Sequence, residues 1–308
     1  MSSPKRSDRQ QPRPSANVAA GARCGKWPLA LCSWSLQTDP EGVTRIASEF
    51  GIGCVNLALK PAFQENGDAY LASVRRQPWA ISAMTIGFSH EDYSSLESIR
   101  ATGGIVPDAH WPQNRETVLR ALAVAADFGV PYLTLHAGFI GGPDREEALR
   151  FRHRLADLAD AAAEHGRSLL LETGQETATE LRDLLAELNH PALGVNFDPA
   201  NMLLYGKGDP VEALPLLGRW IRHVHVKDAQ ASAVPDVWGT EVSWGQGQVG
   251  GARFLHALKH IGYDGTLAIE RETGRDRLGD VRRTVAALTS YMPKKGVTES
   301  EMDCSSKL

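Results

Sequence analysis

Arg222-His223-Val224-His225-Val226-Lys227-Asp228 reads as a single strand with two unlike faces. Alternate residues of a strand point to opposite sides. His223, His225 and Lys227 therefore share one face, and Val224 and Val226 the other. Imidazoles and an ammonium cannot face an apolar layer without partners. They can line the inside of a barrel near its mouth, where a ligand completes them. Three other strand-like runs end on an acid: Leu169-Leu170-Leu171-Glu172, Gly194-Val195-Asn196-Phe197-Asp198 and Leu267-Ala268-Ile269-Glu270.

Outward from this core, β-patterned and helix-patterned segments alternate. The apolar runs predict strands at Leu29–Leu36, Cys54–Leu59, Trp79–Phe88, Tyr132–His136, Ser168–Glu172, Leu193–Asp198, Ile221–Lys227 and Thr266–Arg271. Helical patterns fall between and after them, among them Asn114–Phe128 with Asn114 as its cap, Arg145–His165, Ala252–Ile261 and Leu278–Leu288. Eight alternating units predict an α/β fold, a single (β/α)8 TIM barrel over 27–293. An open doubly wound sheet lacks its glycine fingerprint here. Residues 1–26 hold six Lys and Arg against one acid and read as a disordered basic leader; 294–308 read as a polar tail. Two segments break the pattern, 89–113 and 229–248, and loops of that size tend to carry function.

The chain has 308 residues, 42% hydrophobic and 23% charged, with a formal net charge of −4. That charge argues against nucleic acid as a partner. No apolar run approaches a membrane span. The four cysteines, Cys24, Cys32, Cys54 and Cys304, form no CxxC pair, and Cys24 and Cys304 fall in the expected tails. Reduced thiols and a cytoplasmic location follow.

Glu172 and Asp198 are 26 residues apart, Asp198 and His225 are 27, and His225 and Glu270 are 45, one unit plus the 229–248 insertion. A βα unit repeats at about this interval, roughly 30 residues. The four thus recur at one height on strands 5 to 8, at the C-terminal rim where barrels place their chemistry. Three crowded carboxylates repel one another unless a cation sits among them. One imidazole and three carboxylates suit one divalent ion: Mn²⁺ or Mg²⁺ fits best, with Co²⁺ or Zn²⁺ as alternatives. His223 lies one layer deeper. Lys227 and His136 point inward and are candidate substrate contacts, and for Lys227 the competing reading is a salt bridge with a rim acid such as Asp228. Trp34 closes strand 1, and Trp111, Trp238 and Trp244 sit in the loops over the mouth; Trp111 and Trp244 are taken as candidate substrate contacts.

The pieces LLLET, VNFDPAN, HVHVKD and GYDGTLAIERE together resemble the sugar phosphate isomerase/epimerase family, the xylose isomerase-like barrels. In ketose 3-epimerases of that family the residues matching Glu172, Asp198, His225 and Glu270 hold the metal, and the two glutamates flank the reacting carbon. Several such epimerases carry a His three residues after the aspartate, where this chain has Asn201, a further candidate contact. The resemblance implies a carbohydrate substrate and a homodimer or homotetramer. It implies a metal-dependent sugar or polyol isomerase or epimerase, in which Glu172 and Glu270 move a proton through an enediolate. The alternative is a lyase or dehydratase on a keto-sugar, keto-inositol or 3-keto glycoside. Apurinic-site cleavage, which shares the barrel, would need a His-rich multi-zinc cluster and a basic groove.

Overall fold

A computed structural model describes residues 21–140 and 145–291. Eight parallel strands close on themselves: β2 (Trp27–Cys32), β3 (Cys54–Ala58), β4 (Ala80–Thr85), β5 (Tyr132–Leu135), β6 (Ser168–Glu172), β7 (Leu193–Phe197), β8 (Ile221–Val226) and β11 (Leu267–Ile269), with β11 pairing back onto β2. The fold is the expected (β/α)8 barrel. A short β1 (Arg23–Cys24) pairs antiparallel with the start of β2, so the stretch read as leader is already ordered at 21–26. Cys24 lies not in a tail but fully buried in the core. The rest of the expected leader, the expected tail from 294 and Cys304 lie outside the described residues.

The strand that organises the barrel behaves as its alternation requires. Val224 and Val226 join the large apolar cluster between sheet and helices, together with Leu169, Leu171, Val195 and Phe254. His223 and His225 face the interior, where they bond Asn196, Ser82 and Asn56. The interior on the β2 side is filled by small residues: Ala30, Cys32, Cys54 and Ala268. Burial pushes the Cys32 thiol up to about 12 and that of Cys54 to about 11, so both pack as inert, neutral groups.

Two expected boundaries move for identifiable reasons. The first strand stops at Cys32, and Ser33–Leu36 form a 3₁₀ turn instead of continuing to Leu36. The serine hydroxyls are used across the barrel end: Ser33 Oγ accepts from the Ala58 N–H at 2.9 Å and Ser35 Oγ from the Arg271 N–H at 2.8 Å. Asn114 is not a cap. Helix α4 (Trp111–Asp127) begins three residues earlier, with Pro112 in its first turn, and the Asn114 amide donates to Gly104 O at 2.8 Å.

The two irregular segments are folded against the rim. Within 89–113 lies α3 (Leu96–Thr102), capped by Ser95. The 229–248 insertion contains an antiparallel hairpin of β9 (Asp228–Gln230) and β10 (Thr240–Val242). Asp228 pins the hairpin's return: its carboxylate accepts N–H groups from Ala229, Gly245, Gly247 and Val249 at 2.9–3.1 Å. A Cβ at Gly247 would overlap Asp228 Oδ1 and Ala229 O. Gly247→Ala should therefore lower stability by about 1–3 kcal/mol in urea unfolding; an unchanged midpoint would remove this role from Asp228. The hairpin is also held by Arg271, whose guanidinium donates to Glu241 Oε1 and to Asp280 Oδ2 at 2.8 Å each.

An apolar cluster joins the rim segments. Leu96 and Ile99 of α3, Phe139 beyond β5, Leu204 and Tyr205 at the end of α7 (Pro199–Leu204), and Trp238 of the insertion pack together. The Trp238 ring meets Tyr205 edge-on at 4.6 Å.

Candidate metal centre

Glu172 is the last residue of β6, Asp198 follows β7, His225 is the fifth residue of β8 and Glu270 follows β11. In pairing register Glu172 lies opposite Asn196, two residues short of Asp198, and His225 opposite Ala268, two short of Glu270, while β7 and β8 are level, Asn196 opposite His223. The four positions thus climb four residues over three strand steps. A barrel of shear eight climbs about one residue per strand at constant height. The climb is therefore what brings the four side chains to one axial level.

One atom from each of Glu172, Asp198, His225 and Glu270 lies within 4.8 Å of all the others. His225 Nδ1 is 3.3 Å from Glu172 Oε1, 3.7 Å from Asp198 Oδ2 and 3.1 Å from Glu270 Oε2. All four residues are buried, and His225 and Asp198 are fully so. Asp198 Oδ2, His225 Nδ1 and Glu270 Oε2 are buried and form no well-directed hydrogen bond; their near neighbours are one another and the Lys227 ammonium. Buried polar atoms without a well-directed hydrogen bond are costly and uncommon. Three of them converging on one point, two anionic, form a set that a divalent cation would complete.

The backbone and its neighbours aim these atoms. Asp198 Oδ1 caps α7, accepting from Ala200 N at 2.8 Å and Asn201 N at 3.1 Å, which leaves Oδ2 turned inward. Asn56 donates its amide to Ala83 O and Thr85 Oγ1, both at 3.0 Å, so its Oδ1 faces His225 Nε2 at 2.9 Å. That acceptor places the ring hydrogen on Nε2 and leaves the Nδ1 lone pair for a metal, a tautomer assigned from its partners. Asn196 donates to Glu172 Oε2 at 3.2 Å and accepts from His223 Nδ1 at 2.9 Å. Burial, with the neighbouring His225 charge, pushes His223 down to about 3, so His223 is a neutral supporting ring.

Charge closes the account. Burial alone would push the three carboxyls up. The charges of Lys227 and His225 outweigh it for Asp198 and Glu270, as do His225 and His136 for Glu172, and all three stay below the usual carboxylate range. Lys227 is only 2% exposed, and its Nζ lies 2.6 Å from Glu272 Oε2, 3.1 Å from Glu270 Oε2 and 3.6 Å from Asp198 Oδ2. Burial opposes its charge, but these acids hold its pKa well above the ordinary lysine range. The expected salt bridge with a rim acid is present, with Glu272 and Glu270 as partners in place of Asp228, which is occupied by the hairpin. With His225 neutral, Glu172, Asp198 and Glu270 face a single ammonium that Glu272 shares, so the cluster carries an excess of negative charge that a divalent ion would offset.

The other candidates separate into two groups. Asn201 lies inside the centre, donating to Glu172 Oε1 at 3.1 Å and accepting from Lys227 at 3.3 Å. Gly174, at φ +140°, lets the β6 loop approach Asn201, whose Cβ a side chain there would crowd. His136 Nε2 reaches within 3.7 Å of Glu172 Oε1, and its Nδ1 is buried without a partner. Trp111 and Trp244 have structural partners: the Arg154 guanidinium covers the first at 5.1 Å, and the second packs edge-on to Phe254. Trp34, just past the end of the first barrel strand, donates its indole N–H to Glu270 Oε1 at 2.8 Å. Asn56, Asn196 and Glu272 also reach the cluster, beyond the residues that the strand spacing singles out. A period-two pattern held the signal: Asn196 shares a face with Asp198, and Glu272 with Glu270.

Fold and site together define a (β/α)8 barrel with a buried cluster of three carboxylates and one imidazole on its C-terminal rim, one that could hold a metal ion. The chain belongs to the xylose isomerase-like TIM barrel family, whose model matches residues 44–291. A xylose isomerase domain protein from Planctomyces limnophilus is 32% identical, with a TM-score of 0.76 over 85% of this chain and 95% of that one. Two further structures share the fold at lower identity. One is the probable 3-DHS dehydratase AsbF from Bacillus anthracis, 20% identical, TM-score 0.65, covering 85% and 98%. The other is an L-ribulose 3-epimerase, 18% identical, TM-score 0.63, covering 85% and 93%. An uncharacterised Methanocaldococcus jannaschii protein is 27% identical over 130 residues, 40% of this chain and 43% of that protein. No helix among the described residues is long and apolar enough to cross a membrane.

Proposed function

We propose that the protein is a divalent-metal-dependent isomerase or epimerase of a sugar or polyol. The observation that carries this reading is the convergence of three buried atoms without a well-directed hydrogen bond, Asp198 Oδ2, His225 Nδ1 and Glu270 Oε2, beside Glu172. These four residues would hold one ion, and hard oxygen donors with one imidazole favour Mn²⁺ or Mg²⁺. The ion would polarise a substrate carbonyl and stabilise the enediolate left when the adjacent C–H is deprotonated. Glu172 and Glu270 flank His225 and serve as base and acid. Asn201 holds Glu172 Oε1, and His136 beside it is the route by which that carboxyl exchanges protons with solvent. Lys227 binds a substrate oxygen. Proton return to the same carbon from the opposite face gives epimerisation; return to the neighbouring carbon gives isomerisation.

Lys227 also supports a second reading, a lyase or dehydratase. Its ammonium, 3.1 Å from Glu270, can hand a proton to a departing oxygen. Incubation of the Mn²⁺-loaded protein, with an EDTA-treated control, with ketoses and keto-glycosides in D₂O tests both. Metal-dependent deuterium at one carbon supports proton transfer, and its position separates epimerase from isomerase. Loss of a hydroxyl or aglycone moves the assignment to the lyase. Neither, with metal bound, rejects the reading.

Metal binding carries its own pH signature. Burial disfavours charge on His225, but the Glu270 and Glu172 carboxylates outweigh it and raise its pKa well above 6.5. Near neutral pH the ring therefore carries a proton that an incoming ion must expel. Mn²⁺ affinity should rise with pH below that raised pKa, with about one proton released per ion. Titration calorimetry at pH 7 in buffers of different ionisation enthalpy measures this count, and a count of zero would contradict the assignment of Nδ1 as a ligand atom.

A further inference from the structure

Lys227 meets three carboxylates, and two of them belong to the four-residue cluster. Its Nζ lies 3.1 Å from Glu270 Oε2 and 3.6 Å from Asp198 Oδ2, the two oxygens that converge on His225 Nδ1. The third, Glu272 Oε2, is nearest at 2.6 Å and stands outside the cluster. Its carboxylate is half exposed, whereas the lysine side chain is buried.

Two cations would contend for the same oxygens. A divalent ion held by Asp198 and Glu270 would draw on the charge that the ammonium also draws on, and like charges at this range repel strongly where water does not screen them. The buried ammonium has no recourse to water, and a buried charge needs a partner. Glu272 is the acid left to it, and Asn201 Oδ1, at 3.3 Å, adds a neutral acceptor. Glu272 is itself held from behind. Its N–H donates to Glu241 Oε1 at 3.0 Å, and Glu241, on β10 of the hairpin, is paired with Arg271. The hairpin thus holds Glu272 in place, and Glu272 decides how far the lysine leans on the cluster.

We propose that Glu272 is a positioning residue that sets the centre's affinity for its divalent ion without touching the ion, by drawing the Lys227 ammonium off Glu270 and Asp198. The inference rests on the metal-dependent reading of the centre given above. It extends that reading to a residue outside the ligand set. It also makes ion uptake and the placing of the lysine one event: the ammonium that yields two oxygens to the ion is left beside Glu272, where it can meet a substrate oxygen.

The test is the Mn²⁺ dissociation constant, measured by titration calorimetry on the full chain with no substrate present. Glu272→Gln should weaken binding about tenfold, because the ammonium then leans on Glu270 and Asp198 alone. Lys227→Met should tighten binding about tenfold, because the competing cation is gone. In the Lys227→Met background, Glu272→Gln should change the affinity by less than about threefold. Glu272→Asp keeps the charge but shortens its reach, so it too should weaken binding. That variant leaves Lys227 intact and decides the matter if the methionine variant fails to fold. Unaltered affinity in Glu272→Gln or in Glu272→Asp overturns the proposal and leaves the metal centre standing. An equal loss from Glu272→Gln with and without Lys227 also overturns it, because the acid would then act only as a distant charge. Weaker binding in Lys227→Met overturns the competition on which it stands. A parent chain that takes up no Mn²⁺ overturns the metal reading, and this proposal with it.

Discussion

Glu270→Gln and Glu172→Gln should each lower metal-dependent deuterium exchange into substrate by about 10²–10⁴-fold, the usual cost of removing a positioned acid or base. Glutamine keeps the shape and one neutral oxygen but cannot carry the proton. Each loses a negative charge beside His225 Nδ1, so metal affinity also falls, and the comparison belongs at saturating Mn²⁺. Asp198→Ala and His225→Ala are the contrasting pair. Neither residue is assigned a proton transfer with the substrate, so their expected defect is loss of the ion itself, read by metal analysis. A glutamine variant that holds Mn²⁺ and exchanges at the parental rate would eliminate the two-carboxylate scheme. If Glu270→Gln alone is silent while Glu172→Gln is not, the reaction runs on one face, as isomerisation by a single base would.

The largest effect on stability is expected at Arg271. Its side chain is almost enclosed, between Glu241 and Asp280, which are themselves buried. Arg271→Met keeps the volume and removes the charge. Stripping one member from a buried ion pair costs about 3–5 kcal/mol, because the acids left behind are stranded. The effect should fall toward the low end, since Asp280 keeps Ser243 and Arg283 and Glu241 keeps the Glu272 N–H. Urea unfolding measures the loss. The acid limb should change too. Burial pushes the Asp280 carboxyl up, but Ser243, Arg271 and Arg283 outweigh it and hold it below its ordinary value. A depressed folded-state pKa gives stability that is present above the unfolded value and lost as pH falls through the folded one, here below about pH 4. Arg271→Met should flatten that limb; an unchanged acid profile would mean that the guanidinium does not hold the carboxyl.

The barrel and its four acid-and-imidazole positions were legible because each is a local signal repeated at a fixed interval. An apolar run ending in Glu, Asp or His at unit spacing announces a strand end, whatever the loops do. Partner choice was not legible. Lys227 adjoins Asp228 in sequence, yet the two point to opposite faces of the strand, and the lysine meets Glu272, 45 residues later. Asn56 supports His225 across 169 residues, a contact made only by closure of the barrel. Asn114 is not the cap because the helix already starts at Trp111 with Pro112 in its first turn, and the Asn114 side chain donates to Gly104 O, a partner distant in sequence. Ser33 and Ser35 read as strand because their bonding partners, Ala58 and Arg271, come from other units.

The apolar cluster of Leu96, Ile99, Phe139, Leu204, Tyr205 and Trp238 bears on how this barrel can be altered. Its members come from separate rim segments, yet they share one set of contacts, so the segments are not independent parts. Transplanting the 89–113 segment from a relative would leave Tyr205 and Trp238 facing water unless the recipient insertion were exchanged with it. A change of substrate made by loop grafting therefore has to move both segments together, as a single module seated on the same eight strands.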